Sequence, residues 1–159
     1  MTTDNREIFW KRLESVQAGM LGCDPDWRMV PMSHYADPDE GALWFITAEG
    51  TEIVEKVSDG PKNAAHVISS SGDKLYAHIN GMLELSNDRA KLDELWNAVA
   101  SSWFEEGKQD DDVRLLKLSI TDAEVWATTG GLGFLYQVAK SKVTGEKPDM
   151  GEHFEVSFA

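Results

Sequence analysis

Between Trp27 and Glu52 the chain reads WRMVPMSHYADPDEGALWFITAEGTE, two apolar segments parted by a polar stretch, the second running into a Gly-Thr-Glu helix start. Aromatic and branched apolar residues at Trp27–His34 and Ala42–Thr47 predict β-strands. The intervening YADPDEG is a turn or short loop by composition. Pro31 inside the first segment predicts an edge position, a bulge or a strand end, because proline cannot donate to a ladder. Strands joined this closely pair as antiparallel neighbours, since a parallel pair needs a crossover of about a dozen residues or more.

The rest of the chain repeats the pattern. Ala64–Ser69 and Leu75–Leu85 read as two strands around a Ser-Ser-Gly-Asp turn, with Gly81 marking a bulge or a close backbone approach. Val113–Ile120 reads as a strand that Ala123–Thr128 continues or pairs with, and the tail Met150–Ala159 ends in strand-like HFEVSF. Helices are predicted at Asn5–Leu21, capped by Asp4 and ended by Gly22 and Pro25, at Thr51–Val57, capped by Thr51, and at Phe134–Val143. The strongest helix signal is Asp88–Glu106, where Leu92, Leu95, Trp96, Val99, Trp103 and Phe104 mark one face. GGLG at Gly130–Gly133 reads as a turn rather than a phosphate loop. Short hairpin-connected strands with a few helices predict an antiparallel sheet or small barrel with peripheral helices, not a βαβ fold.

The chain has 159 residues, 42% hydrophobic and 27% charged, and contains no linker or internal repeat, so residues 1–159 are expected to form a single domain. A formal net charge of −13 repels phosphate backbones and anionic lipids, arguing against nucleic-acid and membrane partners. No apolar run approaches the roughly 20 residues of a membrane span. The N-terminal stretch lacks a basic segment followed by a long apolar one, so a cytoplasmic location is expected. The single cysteine, Cys23, excludes an internal disulfide or a paired-thiol site.

Chemistry concentrates in the first hairpin. Thr47, Gly50 and Thr51 cluster where strand hands over to helix, and Arg28 sits on the neighbouring strand. Backbone N–H groups at a helix start, hydroxyls and one guanidinium suit a phosphate. Pro31, Met32, Trp44, Phe45 and Ile46 beside them suit the cover of an aromatic ring. Elsewhere the blander reading holds. His34, His66, His78 and His153 lack metal-ligand spacing, although His66 and His78 are candidates for one sheet face. Ser69–Ser71 lie in a polar turn, and Asp110–Asp112 in a solvated loop. Trp10, Trp96 and Trp126 suit core or interface packing, whereas for Trp44 and Trp103 packing and a ligand cleft stay equally open.

Several pieces recur in a fixed order: MLGC ending near Cys23, PMS at Pro31–Ser33, LWFIT at Leu43–Thr47, GMLEL at Gly81–Leu85, DELW at Asp93–Trp96, WFEEG at Trp103–Gly107 and AEVW at Ala123–Trp126. From Ile8 to Phe158 this order resembles the general stress protein 26 group of the pyridoxamine 5′-phosphate oxidase-like, flavin-binding split-barrel superfamily. The resemblance implies a mainly β, α+β fold: a six-stranded antiparallel split β-barrel acting as a homodimer, with FMN in clefts between the subunits. It implies that Arg28, Met29, Val30, Pro31 and Met32, with Trp44, Phe45, Ile46 and Thr47, lie along the flavin. It further implies that Gly50, Thr51 and Glu52 approach the phosphate and that Trp103 closes the site from the partner chain.

Where many relatives carry Arg-Pro-Met this chain has Val30-Pro31-Met32, and where many carry a lysine it has Ile53. Arg28, two residues before Val30, is expected to share its strand face and replace the cation, with Lys56 and Lys62 as further candidates. The ending GEHFEVSFA lacks the basic residues of the vitamin-B6 oxidase itself, so the resemblance points to the stress-protein branch. The implied function is an FMN-binding stress-related protein, with a flavin-dependent oxidoreductase activity on an unnamed substrate. The alternatives are a non-catalytic flavin carrier or sensor, and a barrel that binds haem, a deazaflavin or only a protein partner.

Overall fold

Strand pairing organises this chain, and a single residue closes the ring. The computed structural model describes residues 5–128, 130–146 and 151–158. Helix α1 (Asn5–Ser15) buries Phe9, Trp10 and Leu13. It ends well short of the expected Leu21: the Val16 N–H donates to the Leu13 carbonyl at 3.1 Å, and Ala18–Cys23 leaves as strand β1. Tertiary pairing overrides the helical spacing of Leu13, Val16 and Met20. At Gly19 an added Cβ would stand 2.6 Å from the Val67 carbonyl oxygen and 2.8 Å from His66 Nε2, so the strand passes its neighbour at a distance only glycine permits. The expected Asp4 cap lies outside the described residues.

The first strand predicted from Trp27 begins only at β2 (Val30–Ser33). Residues before it are spent on a turn in which the Trp27 N–H donates to the Cys23 carbonyl and Trp27 takes a left-handed φ of 57°. After His34 the chain extends again as β3 (Tyr35–Asp37), which converts half of the predicted loop into strand, and β4 (Ala42–Ala48) follows. A five-residue helix α2 (Glu52–Lys56) leads to β5 (Lys62–Ser70) and β6 (Leu75–Ser86). The segments 113–120 and 123–128 are one strand, β7 (Val113–Thr128), and the chain closes with β8 (Gly151–Ser157). Met150 and Ala159, the ends of the predicted tail segment, lie outside the described residues.

All pairings are antiparallel, in the order β2-β1-β5-β6-β7-β4-β3. The two ends of this order, β2 and β3, are consecutive in the chain and separated only by His34. Counted as one bent strand, they make the sheet a ring of six, the number expected. One edge of β7 serves two partners, β4 along residues 113–119 and β8 along residues 122–128. The register of β6 against β7 shifts between Asn80 and Gly81, the bulge predicted from the glycine. A Cβ there would fall 2.2 Å from the Ser119 carbonyl oxygen. The chain thus folds as a curled, mostly antiparallel split barrel with peripheral helices.

The ring encloses Leu21, Leu43, Phe45, Ile79, Leu83, Leu116 and Leu118, and α1 covers one end with Phe9 and Trp10 against Phe158. The single helix predicted over Asp88–Glu106 is two, α3 (Arg89–Leu95) and α4 (Ala98–Ser102). Asp88 caps α3 by accepting from the Lys91 N–H at 2.9 Å; Trp96 turns out at ψ 128°, and Asn97 caps α4 by accepting from the Ala100 N–H. An asparagine offers a second helix start, its side chain accepting from a backbone N–H that the new turn leaves open. The GGLG segment, expected as a turn, opens helix α5 (Gly130–Thr144): backbone bonds propagate back from the apolar stretch after it. Among the described residues, no helix is long and apolar enough to cross a membrane.

Candidate functional site

Strands β2 and β4 and helices α2 and α4 surround a groove of about 470 Å³, within the size range of small-molecule sites. Val30, Pro31, Met32 and Ser33 come from β2, Tyr35 from β3, and Ile46, Thr47 and Ala48 from β4. Thr51, Glu52 and Ile53 close one end where α2 begins, and Ala100, Trp103 and Phe104 wall the other side. The apolar floor grades into a polar end made of Thr47, Thr51 and Glu52. Tyr35 ties the walls together: its hydroxyl accepts from the Asn97 side-chain amide at 3.1 Å, joining β3 to the cap of α4.

Eight of the residues singled out in the sequence line this groove: Val30, Pro31, Met32, Ile46, Thr47, Thr51, Glu52 and Trp103. The others do not. Phe45 is fully buried in the barrel on the opposite face of β4, its ring 5.1 Å from that of His66. Trp44 faces outward but lies beneath α3, with its indole N–H donating to Asp37 at 2.9 Å and the Lys91 and Lys117 ammonium groups over its ring. Along β4 the barrel core takes Phe45 and the packing under α3 takes Trp44, which leaves the groove to Ile46, Thr47 and Ala48 at the end of the strand. Met29 packs toward Gly22, and Gly50 turns the chain at φ 86° outside the lining. Arg28 sits in the loop before β2, so period-2 geometry does not place it on the face of Val30.

Trp103 belongs to the groove of its own chain and is 79% exposed there. Sequence reading missed Ser33, Tyr35, Ala48, Ala100 and Phe104 as wall residues. Alternation from Pro31 through the bend signals the first two, but α4 could not be placed without its break at Trp96.

Charges gather at the polar end. Arg28 Nη1 lies 3.5 Å from Glu52 Oε2, and Lys56 Nζ lies 3.6 Å from Glu52 Oε1 and 2.5 Å from Asp26. The Asp26 hydrogen bond raises the Lys56 pKa above the ordinary ammonium value, and Lys56 in turn lowers the Asp26 carboxyl. Lys62 is paired with Asp59 and takes no part in the groove. Thr51 holds the cap position of α2, yet its hydroxyl donates to the Ala48 carbonyl at 2.9 Å instead of capping the helix.

A larger, open depression of about 890 Å³ between α1 and the Pro38–Gly41 turn is walled by charged side chains of both signs, including Glu7, Lys11, Glu14 and Glu40. Histidines form one buried pair: His34 Nδ1 lies 3.0 Å from His66 Nε2. His66 points inward and its strand neighbour in register beyond Val67, His78, points to solvent, so the two do not share a face as entertained from the sequence. Among the described residues no three His, Cys, Asp or Glu side chains converge as a metal site. Burial raises the Cys23 thiol pKa.

The family model described as "Pyridoxamine 5'-phosphate oxidase like" matches residues 4–149, and the chain belongs to that family. Within it, the chain is similar to general stress proteins. A protein assigned as general stress protein 26 from Jannaschia sp. CCS1 shares 48% identity, with 96% of each chain covered and a TM-score of 0.88. A general stress family protein from Xanthomonas campestris pv. campestris shares 31% identity over 82% of this chain and 93% of its own, TM-score 0.70. The general stress FMN/FAD binding protein of Xanthomonas citri shares 32% identity over 79% of this chain and 90% of its own, TM-score 0.70. No curated protein matches.

Proposed function

We propose that this chain is a flavin-binding, stress-related protein whose groove takes the isoalloxazine ring of FMN. The observation that carries the reading is the groove itself: Pro31, Met32, Ile46, Trp103 and Phe104 offer apolar surface of the right extent for a flat ring, and Ser33, Thr47 and Thr51 offer hydroxyls at its edges. The Xanthomonas citri relative, named for FMN/FAD binding, supports the choice of ligand class. Apolar walls with hydroxyls among them are the chemistry that a flavin ring takes. For the phosphate, Arg28 and Lys56, both paired with Glu52, are candidate cations at the polar end, and Thr47 and Thr51 supply oxygen partners.

When bound, a flavin supplies redox chemistry of its own, which makes a flavin-dependent oxidoreductase the activity to look for. This chain's residues bind the ring, orient it and exclude water from one face. A homodimer is part of the proposal: Trp103 lines the groove yet stays largely exposed, and a second copy laid over it would bury that indole. The proposed setting is the cytoplasm. The test is the visible spectrum of freshly isolated protein followed by titration with FMN, with molar mass measured by light scattering. Flavin absorbance and saturable binding by a dimer are expected; a colourless protein indifferent to FMN ends the reading.

A further inference from the structure

Of the described residues that line the groove, Glu52 alone carries a formal charge, and that charge is negative. It follows Thr51 at the start of α2, in the part of the groove where Thr47 and Thr51 supply hydroxyls and where the flavin reading puts the ligand's tail. The cations within reach are already engaged. Arg28 is held at 3.5 Å by one oxygen of Glu52, and Lys56 is shared between Asp26 and the other oxygen. Two carboxylates face two cations, so the cluster is neutral before any ligand arrives. Val30 and Ile53 add apolar surface to the same region and no charge.

A phosphate monoester carries about −1.5 to −2 charges at neutral pH. To gain a guanidinium it must take Arg28 from Glu52, and it then leaves that carboxylate both unpaired and close to the new anion. The hydroxyls of Thr47 and Thr51 serve a neutral tail equally well. Resting on the flavin reading above, we infer that Glu52 is a specificity-determining residue. It offsets the phosphate's contribution, so the site recognises a flavin by its ring and discriminates little between FMN and riboflavin.

The test titrates riboflavin and FMN, by quenching of flavin fluorescence, into the wild-type protein and into Glu52→Gln. The wild type is expected to prefer FMN by no more than about tenfold. Removing one screened charge is worth about 1 kcal/mol, so Glu52→Gln should tighten FMN by about fivefold and leave riboflavin within about twofold. Glu52→Asp, which keeps the charge, should keep the wild-type ratio. Glu52 is an exposed residue on a one-turn helix, and thermal melts of each variant establish that it folds. A wild type that already prefers FMN by about a hundredfold overturns the inference. So does a variant that shifts both flavins alike, or neither. Those outcomes leave flavin binding standing, whereas failure to bind either flavin removes the flavin reading and this inference together.

Discussion

The bent strand formed by β2 and β3 has two sides, and they are built on opposite rules. Outward, Ser33 and Tyr35 line an open groove whose charged end is balanced by the ion pairs of Glu52 with Arg28 and Lys56. Inward, between those same two residues, His34 is buried against His66 in a space without formal charge. The inner pair is under tight geometric control. His34 Nε2 reaches the Leu13 carbonyl at 3.3 Å and so carries its proton there; Nδ1 is then an acceptor, and His66 must donate from Nε2. That leaves His66 Nδ1 as a buried acceptor without a hydrogen-bond partner. One side tolerates rearrangement because water can replace any partner. The other cannot, because each group there has at most one.

Two experiments press on the inner side, where the effects should be largest. Phe45→Ala removes a fully buried ring packed on His66 and should destabilise by about 3–5 kcal/mol, read as a shift in the urea midpoint. Its neighbour Ile46, facing the groove, should lose clearly less when cut to alanine. Equal losses would erase the contrast between the faces.

Acid is the second probe. Burial lowers both histidine pKa values, and His66, further opposed by the charge of His34, falls to about 3. The unfolded chain protonates both near the ordinary value of about 6.5, so below that pH it binds more protons than the folded chain. Stability from this source is complete above pH ~6.5 and drains as pH falls toward about 3. Each histidine contributes at most about 1.4 kcal/mol per pH unit in that window. His66→Gln, which keeps an N–H for His34 Nδ1, should flatten the slope between pH 6.5 and 4 while lowering the plateau. An unchanged slope would assign acid sensitivity to carboxylates instead.

The ring of strands was legible because its signals are local. Alternation, glycine punctuation and the order of short motifs required no knowledge of partners, and the Gly81 bulge was readable from a single residue. The failures share a cause: a long-range contact outweighed a local preference. β1 looked helical until Gly19 met Val67 and His66, and α3 and α4 looked continuous because nothing local showed that Asn97 would bond Tyr35. At the site, the two apolar segments were read as one hairpin, whereas β2 pairs with β1 and it is β3, out of the expected loop, that pairs with β4; Phe45 and Trp44 were likewise read beside Ile46 on the groove. The closing role of His34 was invisible, since only the strand order shows that β2 and β3 are the two ends of one sheet.

Between the extremes lies the underside of β4. Asp37 accepts from the Trp44 indole and the Glu40 N–H and pairs with Lys91 at 3.1 Å; burial raises its carboxyl pKa, yet these three partners prevail and hold it below the ordinary value. Asp37→Ala strands an indole N–H that is nearly buried, and a loss of about 1–3 kcal/mol is expected in chemical denaturation. A loss below about 0.5 kcal/mol would show that solvent replaces the carboxylate, as it does on the groove side.

The smallest structural effect should come with the largest functional one. Arg28 has a side chain 70% exposed and a single ion pair at 3.5 Å, a geometry whose worth to folding is at most a few tenths of a kcal/mol. Arg28→Ala should therefore leave the melting temperature unchanged within error. On the proposed reading it is also a cation a phosphate can recruit, so FMN affinity should fall several-fold while riboflavin affinity holds. A melting temperature that drops with Arg28 would mean the Glu52 pair is structural, making the groove's charged end as rigid as its histidine side. An FMN affinity indifferent to Arg28 would move the phosphate to the hydroxyls of Thr47 and Thr51, groups that bind without charge and so without strong dependence on salt.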